Sequence, residues 1–93
     1  MDLNHCLAPH PTPPREDCLR VTWLEPRGDD RCRVIAWTCD CRRLYFELCA
    51  SGGLTFVRRT VRETEWIVTA ETHRGPLLET EKIWTALLHG LAR

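Results

Sequence analysis

The chain has little of what would direct it to a membrane or to nucleic acid. Its thirteen Lys and Arg residues balance its thirteen Asp and Glu residues, so the net charge is zero and no basic excess favours a polyanionic partner. No run approaches the ~18 apolar residues of a membrane span, and the first residues lack the apolar stretch of a signal peptide. We therefore expect a cytoplasmic protein.

The sequence also lacks the residue sets on which common enzymes depend. It has no glycine loop that would cradle a phosphate and no His-x-x-x-His pair, and its four histidines are scattered. Its 93 residues are enough for one domain. We therefore expect a single, non-enzymatic domain with no required cofactor.

Proline is concentrated at the start of the chain. Residues 1–17 contain four of the six prolines, and proline resists both helix formation and strand pairing. This composition predicts a flexible tail over residues 1–17, followed by one folded domain over residues 18–93. The alternative is a tail that becomes ordered on contact with a partner.

From Cys18 onward the apolar residues follow the two-residue period of β-strands. Five strands are predicted, over residues 19–23, 33–39, 44–50, 54–60 and 64–70. The short connections favour antiparallel neighbours, and Pro76 and Gly90 mark the start and end of a helix. The predicted fold is α+β: a five-stranded antiparallel β-meander with one C-terminal helix packed on one face.

The strand register follows from placing apolar side chains together on one face of the sheet. This criterion sets Trp37 opposite Phe46 and, with a three-residue turn at residues 51–53, Leu48 opposite Phe56. It also sets Phe56 opposite Val68. These side chains form the predicted core face that the helix covers.

The second sheet face is expected to be exposed but is not uniformly polar. In the predicted register it carries an apolar stripe of Val34, Tyr45, Val57 and Ile67, with Val34 opposite Cys49. Such a stripe is typical of an association surface, although strand propensity alone also favours these residue types. Our leading hypothesis is a protein-binding module, an adaptor, regulator or homodimer, that uses these four residues.

Six cysteines in such a short chain suggest a metal or thiol-redox site as the alternative function. Cys39 and Cys41 fall at one end of the predicted second hairpin, and Cys32 and Cys49 fall about 17 Å away at its other end. The two pairs therefore cannot share one metal ion. A zinc or redox site built on Cys39 and Cys41 would need further ligands.

The N-terminal tail contains potential additional ligands in His5 and Cys6, although ordering the tail carries an entropic cost. In the absence of metal, we expect Cys39 to be buried in the core and Cys41 to be an exposed thiol in a turn. Zinc is the one cofactor that these residues could bind.

Five arginines gather at the turn end of the predicted meander, which suggests a third function, the binding of an anion or a nucleic acid. They are Arg42, Arg43, Arg58, Arg59 and Arg62. Acidic residues at the same end neutralise much of this charge. Arg58 is further predicted to stack over Trp66.

Overall fold

The computed structural model describes residue 6 and residues 8–28 and 31–93. Four strands and one helix occur in these residues: β1 (Arg33–Trp37), β2 (Leu44–Ser51), β3 (Leu54–Arg62), β4 (Ile67–Glu71) and α1 (Leu77–Leu88). The strands form one antiparallel sheet in the order β1-β2-β3-β4. The α+β class, the antiparallel sheet and the C-terminal helix are confirmed. No helix in the described part of the chain is long and apolar enough to cross a membrane.

The predicted first strand, residues 19–23, is wrong because this segment divides its hydrogen bonds between two partners. Leu19 pairs with the residues that follow α1, and Leu24 pairs with Glu71 at the end of β4. Neither pairing extends into a ladder. Val21 and Trp23 nevertheless pack against the core, so the alternation of apolar residues in this segment indicates burial rather than strand pairing.

The β2–β3 turn contains two residues rather than the predicted three. Gly52 and Gly53 have φ values of 58° and 82°, as a type I′ turn requires, and Ser51 pairs with Leu54. Leu48 therefore lies opposite Val57 rather than Phe56. This one-residue difference turns Val57 toward the helix.

The other two strand pairs also differ from the predicted register. A bulge between Val34 and Ala36 leaves Val34 opposite Cys49, as predicted, but places Trp37 opposite Glu47 instead of Phe46. Because β3 continues to Arg62, β4 pairs five positions away from the prediction. Val61, and not Phe56, is the partner of Val68.

The core lies between α1 and one sheet face. The buried residues that contact one another there are Phe46, Leu48, Val57, Leu87 and Ala92. Trp23 stacks on Phe46 with ring centroids 6.1 Å apart. Thr80 of α1 docks on β3, because its Oγ1 lies 2.7 Å from Thr55 Oγ1. We call the opposite side of the sheet the far face.

The helix ends in the glycine stop that the sequence predicts. Gly90 has a φ of 73°, and its N–H donates to the Leu87 carbonyl. The Leu91 N–H donates to the Ala86 carbonyl, which completes a Schellman motif. This turn directs the last residues back along the segment that precedes β1.

The Pro-rich segment, in the part that the structure describes, is hydrogen-bonded to the domain. The Thr12 N–H donates to the Leu88 carbonyl, and the Arg15 N–H donates to the Gly90 carbonyl. Arg93 Nη2 donates to the Thr12 carbonyl at 2.7 Å. Because proline has no N–H, these contacts use the N–H groups of Thr12 and Arg15 and the carbonyl of Thr12.

Candidate metal centre

Four potential metal ligands from two distant parts of the chain converge at the β1–β2 turn. The ligand atoms of Cys6, His10, Cys39 and Cys41 all lie within 4.8 Å of one another. Cys6 Sγ lies 3.7 Å from Cys41 Sγ, and His10 Nε2 lies 3.1 Å from the same sulfur. In a tetrahedral zinc site the Zn–S bonds of ~2.3 Å place sulfurs about 3.8 Å apart. The cluster therefore has the dimensions of a zinc site.

Cys39 and Cys41 are positioned by the way β1 ends. The Thr38 N–H donates to the Phe46 carbonyl, while Thr38 Oγ1 accepts from the Phe46 N–H at 2.9 Å. The buried Thr38 side chain thus replaces the backbone partner that a continuing strand would supply, and the chain leaves the ladder. Arg62 Nη1 holds the turn by donating to the Asp40 carbonyl at 2.8 Å.

His10 is flanked by backbone hydrogen bonds on both sides. The Cys39 N–H donates to the Pro9 carbonyl at 2.8 Å, which ties the segment to the same turn that carries the other ligands. Two residues beyond His10, Thr12 bonds to the end of α1. The backbone around His10 is therefore held without any contact between ligand side chains.

Contacts within the cluster shift the pKa values of Cys6 and Cys39 in opposite directions. Hydrogen bonds with the Cys39 and Cys41 thiols, followed by desolvation, raise the pKa of Cys6 to about 11. The pKa of Cys39 is lowered, first by the backbone N–H of Cys41 and then by the Cys6 thiol. Cys39 therefore loses its proton more readily than Cys6 does. A bound dication would allow all three thiolates to form.

The donor set distinguishes between types of metal site. Three thiolates and one imidazole fill the four positions of a tetrahedron, which is the pattern of structural zinc, whereas catalytic zinc keeps a position open for water. Soft sulfur ligands also disfavour magnesium and calcium. Cys39 is buried, while Cys6, His10 and Cys41 lie at the surface, where a metal ion can enter.

The second cysteine pair is separate from this centre, as the sequence predicts. Cys49 is fully buried on the far face, and its burial raises its pKa to about 12. Cys32 lies beside it and contacts Arg58 Nη1 through its sulfur at 3.4 Å. These two thiols belong to the packing of the far face.

Sequence reasoning missed His10. It treated the tail as flexible and named His5 and Cys6 as its potential ligands; His5 lies outside the described residues. The available signal was the combination of Cys6-x-x-x-His10 with Cys39-x-Cys41, two short chelating pairs 29 residues apart. Neither pair is sufficient alone, so the site depends on how the tail docks.

Of the five arginines that the sequence places together, Arg58 and Arg59 point to opposite faces of the sheet. Arg58 donates to Glu47 Oε1 at 2.9 Å, and this hydrogen bond raises the pKa of the Arg58 guanidinium further. In the sheet, Arg58 lies opposite Glu71 of β4 rather than Trp66. The predicted stacking on Trp66 is therefore wrong. The Arg59 guanidinium lies 4.7 Å from the Trp23 ring on the helix side.

The turn itself retains Arg42, Arg43 and Arg62. Arg42 is exposed, whereas Arg43 pairs with Glu63 at 2.7 Å and Arg62 pairs with Asp40 at 3.5 Å. These ion pairs offset most of the positive charge that the anion-binding hypothesis requires.

The predicted association stripe is interrupted. Val57 is completely buried under α1, so its placement on the exposed face is wrong, and the two-residue turn is the reason. Val34, Tyr45 and Ile67 do share the far face. Ile67 is 64% exposed, while Val34 and Tyr45 are half-buried.

No protein-family model, curated protein or solved structure matches this chain. Its class is therefore defined by its own fold and site. It is a small α+β domain with a four-stranded antiparallel meander, one C-terminal helix and a Cys₃His cluster at the β1–β2 turn.

Proposed function

We propose that this protein is a zinc-binding module in which one zinc ion joins the N-terminal segment to the β1–β2 turn. The observation that carries the proposal is the convergence of Cys6, His10, Cys39 and Cys41 within 4.8 Å. Two ligands come from each of two chain segments, so the ion acts as a cross-link. The filled tetrahedron supports a structural rather than a catalytic role.

Such a cross-link has a clear benefit in a domain of this size. Nine apolar residues are buried in the described part of the chain, and small domains with limited cores commonly rely on a metal or on disulfides. Zinc that binds the folded chain and not the unfolded chain stabilises the fold by mass action, by about 4 kcal/mol at 1,000 times Kd. The N-terminal segment gains most, because its other attachments are a few hydrogen bonds.

The test is metal analysis of protein purified without chelator. We expect one zinc per wild-type chain, and loss of zinc in the Cys39→Ser and His10→Ala variants. Cys32→Ser is the matched control, since Cys32 is a half-buried thiol outside the cluster and its loss should leave zinc binding unchanged.

Cobalt substitution provides a second readout. Cobalt in this site should give the intense absorption of tetrahedral thiolate coordination, and the Cys39→Ser variant should weaken it. Wild-type protein that retains no zinc and gives no such spectrum would refute the proposal.

Protein binding remains a second candidate function, with a partner protein or a second copy of the chain as the ligand. Its support is the exposure of large apolar side chains, with Trp37 at 55% and Ile67 at 64%. Light scattering at several concentrations tests self-association. An Ile67→Glu variant that keeps every interaction of the wild type would count against this surface.

Thiolate ligands survive best in a reducing compartment, which agrees with the expected cytoplasmic location.

A further inference from the structure

A pocket of about 330 Å³ opens beside the candidate zinc site, at the junction of β1, β2 and the N-terminal segment. Its volume falls at the lower end of the range for small-ligand sites. Its walls include Ala8, Trp37, Cys39, Asp40, Tyr45 and Glu47. Two aromatic rings and two carboxylates thus border one small concavity.

The β1 bulge creates this arrangement. By shifting the register, it places Trp37 opposite Glu47 on the far face, where the indole is 55% exposed. Tyr45 lies two residues along β2 from Glu47 and therefore on the same face. In the register expected from the sequence, Trp37 would instead have packed in the core.

The chain's own cations reveal the chemistry of these walls. The Arg62 guanidinium lies 5.2 Å from the Tyr45 ring centroid, and Arg58 Nε donates to Glu47 Oε1 at 2.9 Å. Aromatic faces and carboxylates next to each other attract cations. Three thiolates on one zinc ion would add a further net negative charge at Cys39.

We propose that this pocket binds the ammonium group of a lysine side chain from a partner protein. A guanidinium already contacts each carboxylate, Arg58 at Glu47 and Arg62 at Asp40. The Trp37 ring and a remaining carboxylate oxygen suit a compact point charge better than a second planar fork. The inference rests on the proposed function, because Ala8 lies between two zinc ligands and Cys39 is a third.

The test uses zinc-loaded protein and two probes that differ only in charge. Nα-acetyl-lysine amide is titrated against its neutral isostere Nα-acetyl-2-aminoheptanoic acid amide, in which a methyl group replaces the ammonium group, at matched ionic strength, while the indole N–H of Trp37 is followed by NMR. We expect a saturable shift with the lysine probe alone. Equal responses to the two probes, or no saturable response, would overturn the proposal.

Two tryptophan variants locate the binding. Trp37→Ala should weaken the lysine probe about two- to fivefold, as expected for the loss of one exposed cation–π contact. Trp66→Ala is the matched control, because Trp66 is 60% exposed but does not line the pocket. For these variants the amide resonance of Glu47 replaces the indole as the reporter. Equal weakening by both variants would also overturn the proposal.

Metal content measured on the same samples separates this inference from the proposed function. A zinc-loaded protein without a lysine-specific response overturns the pocket and leaves the zinc site intact. A protein that takes up no zinc overturns the zinc site. Chelation should abolish the response of the loaded protein, and a response that survives chelation overturns the dependence of the pocket on the metal.

Discussion

Gly90→Ala should loosen the N-terminal segment and, through it, the zinc site. Gly90 has a φ of 73° in the helix stop, and an added Cβ would collide with the carbonyl oxygen of Pro13. The substitution therefore carries two separate costs. One is the left-handed backbone, and the other is displacement of the segment that leads to His10.

A matched variant isolates the second cost. Gly53→Ala places alanine at a φ of 82° with open space around the Cβ, so it carries only the left-handed cost of about 1–2 kcal/mol. In Gly90→Ala, the displaced segment also loses the bonds of the Thr12 and Arg15 N–H groups and the bond from Arg93 to the Thr12 carbonyl. Two backbone bonds of about 1 kcal/mol each and one charged bond of about 1.5–3 kcal/mol give a difference of about 3.5–5 kcal/mol between the variants.

Urea unfolding and zinc competition with a chromophoric chelator measure the two consequences. Gly90→Ala should unfold at clearly lower urea than Gly53→Ala. It should also bind zinc at least tenfold more weakly, because each 1.4 kcal/mol spent on redocking the segment costs a factor of ten in affinity. Equal urea midpoints and equal zinc affinities for the two variants would refute the coupling.

Three further predictions concern groups outside the zinc site. Glu71→Gln breaks an ion pair with Arg74 in which both side chains are at least 93% buried. It should lower the free energy of unfolding by about 3–5 kcal/mol, and a loss below 1 kcal/mol in urea unfolding would contradict this. Thr80→Val removes the hydroxyl 2.7 Å from Thr55 Oγ1 and should cost about 1–2 kcal/mol in the same assay, while an unchanged midpoint would argue against this helix contact. Cys49, whose pKa is raised to about 12, should resist iodoacetamide at pH 8 until urea unfolds the chain, and rapid alkylation of the native protein detected by mass spectrometry would contradict its burial. Because the folded chain keeps Cys49 protonated while the unfolded chain does not, the free energy of unfolding should fall as the pH rises above 9.

The elements that could be predicted from the sequence are those specified by local chemistry. The helix stop at Gly90 needs only a residue that tolerates positive φ, and four of the predicted strands follow from the two-residue period. The segment around Val21 has the same period but pairs with two partners, so its pattern indicates burial without a ladder. Local patterns carry no information on which backbone the segment meets.

The register errors have equally specific causes. Gly52 and Gly53 together favour a two-residue turn between β2 and β3. The expectation of a three-residue turn placed Val57 on the wrong face of the sheet. The bulge before Ala36 depends on Thr38 replacing a backbone partner with its hydroxyl, which residue periodicity does not reveal. The bulge places Trp37 on the far face, where it lines the pocket.

The metal site was only half predictable for a related reason. Cys39-x-Cys41 is a local pair, and the sequence places it correctly at a turn. Cys6 and His10 join it because the Pro-rich segment docks on the far end of the chain, with Arg93 donating to the Thr12 carbonyl across 81 residues of sequence. Contacts at such separation are set by the whole fold.

The N-terminal segment links the candidate zinc site to the C-terminus, and it is attached to the domain at both of these places. Residues 12–15 bond to the helix stop, while Pro9 bonds to Cys39 and His10 approaches Cys41. Either attachment alone would leave a Pro-rich chain held at one end, where fixing it costs about 1–2 kcal/mol of backbone entropy per residue. Held at both ends, the segment is constrained by its prolines, which lower the entropy that ordering removes. The prolines that suggested a flexible tail thus reduce the cost of bringing Cys6 and His10 to the metal.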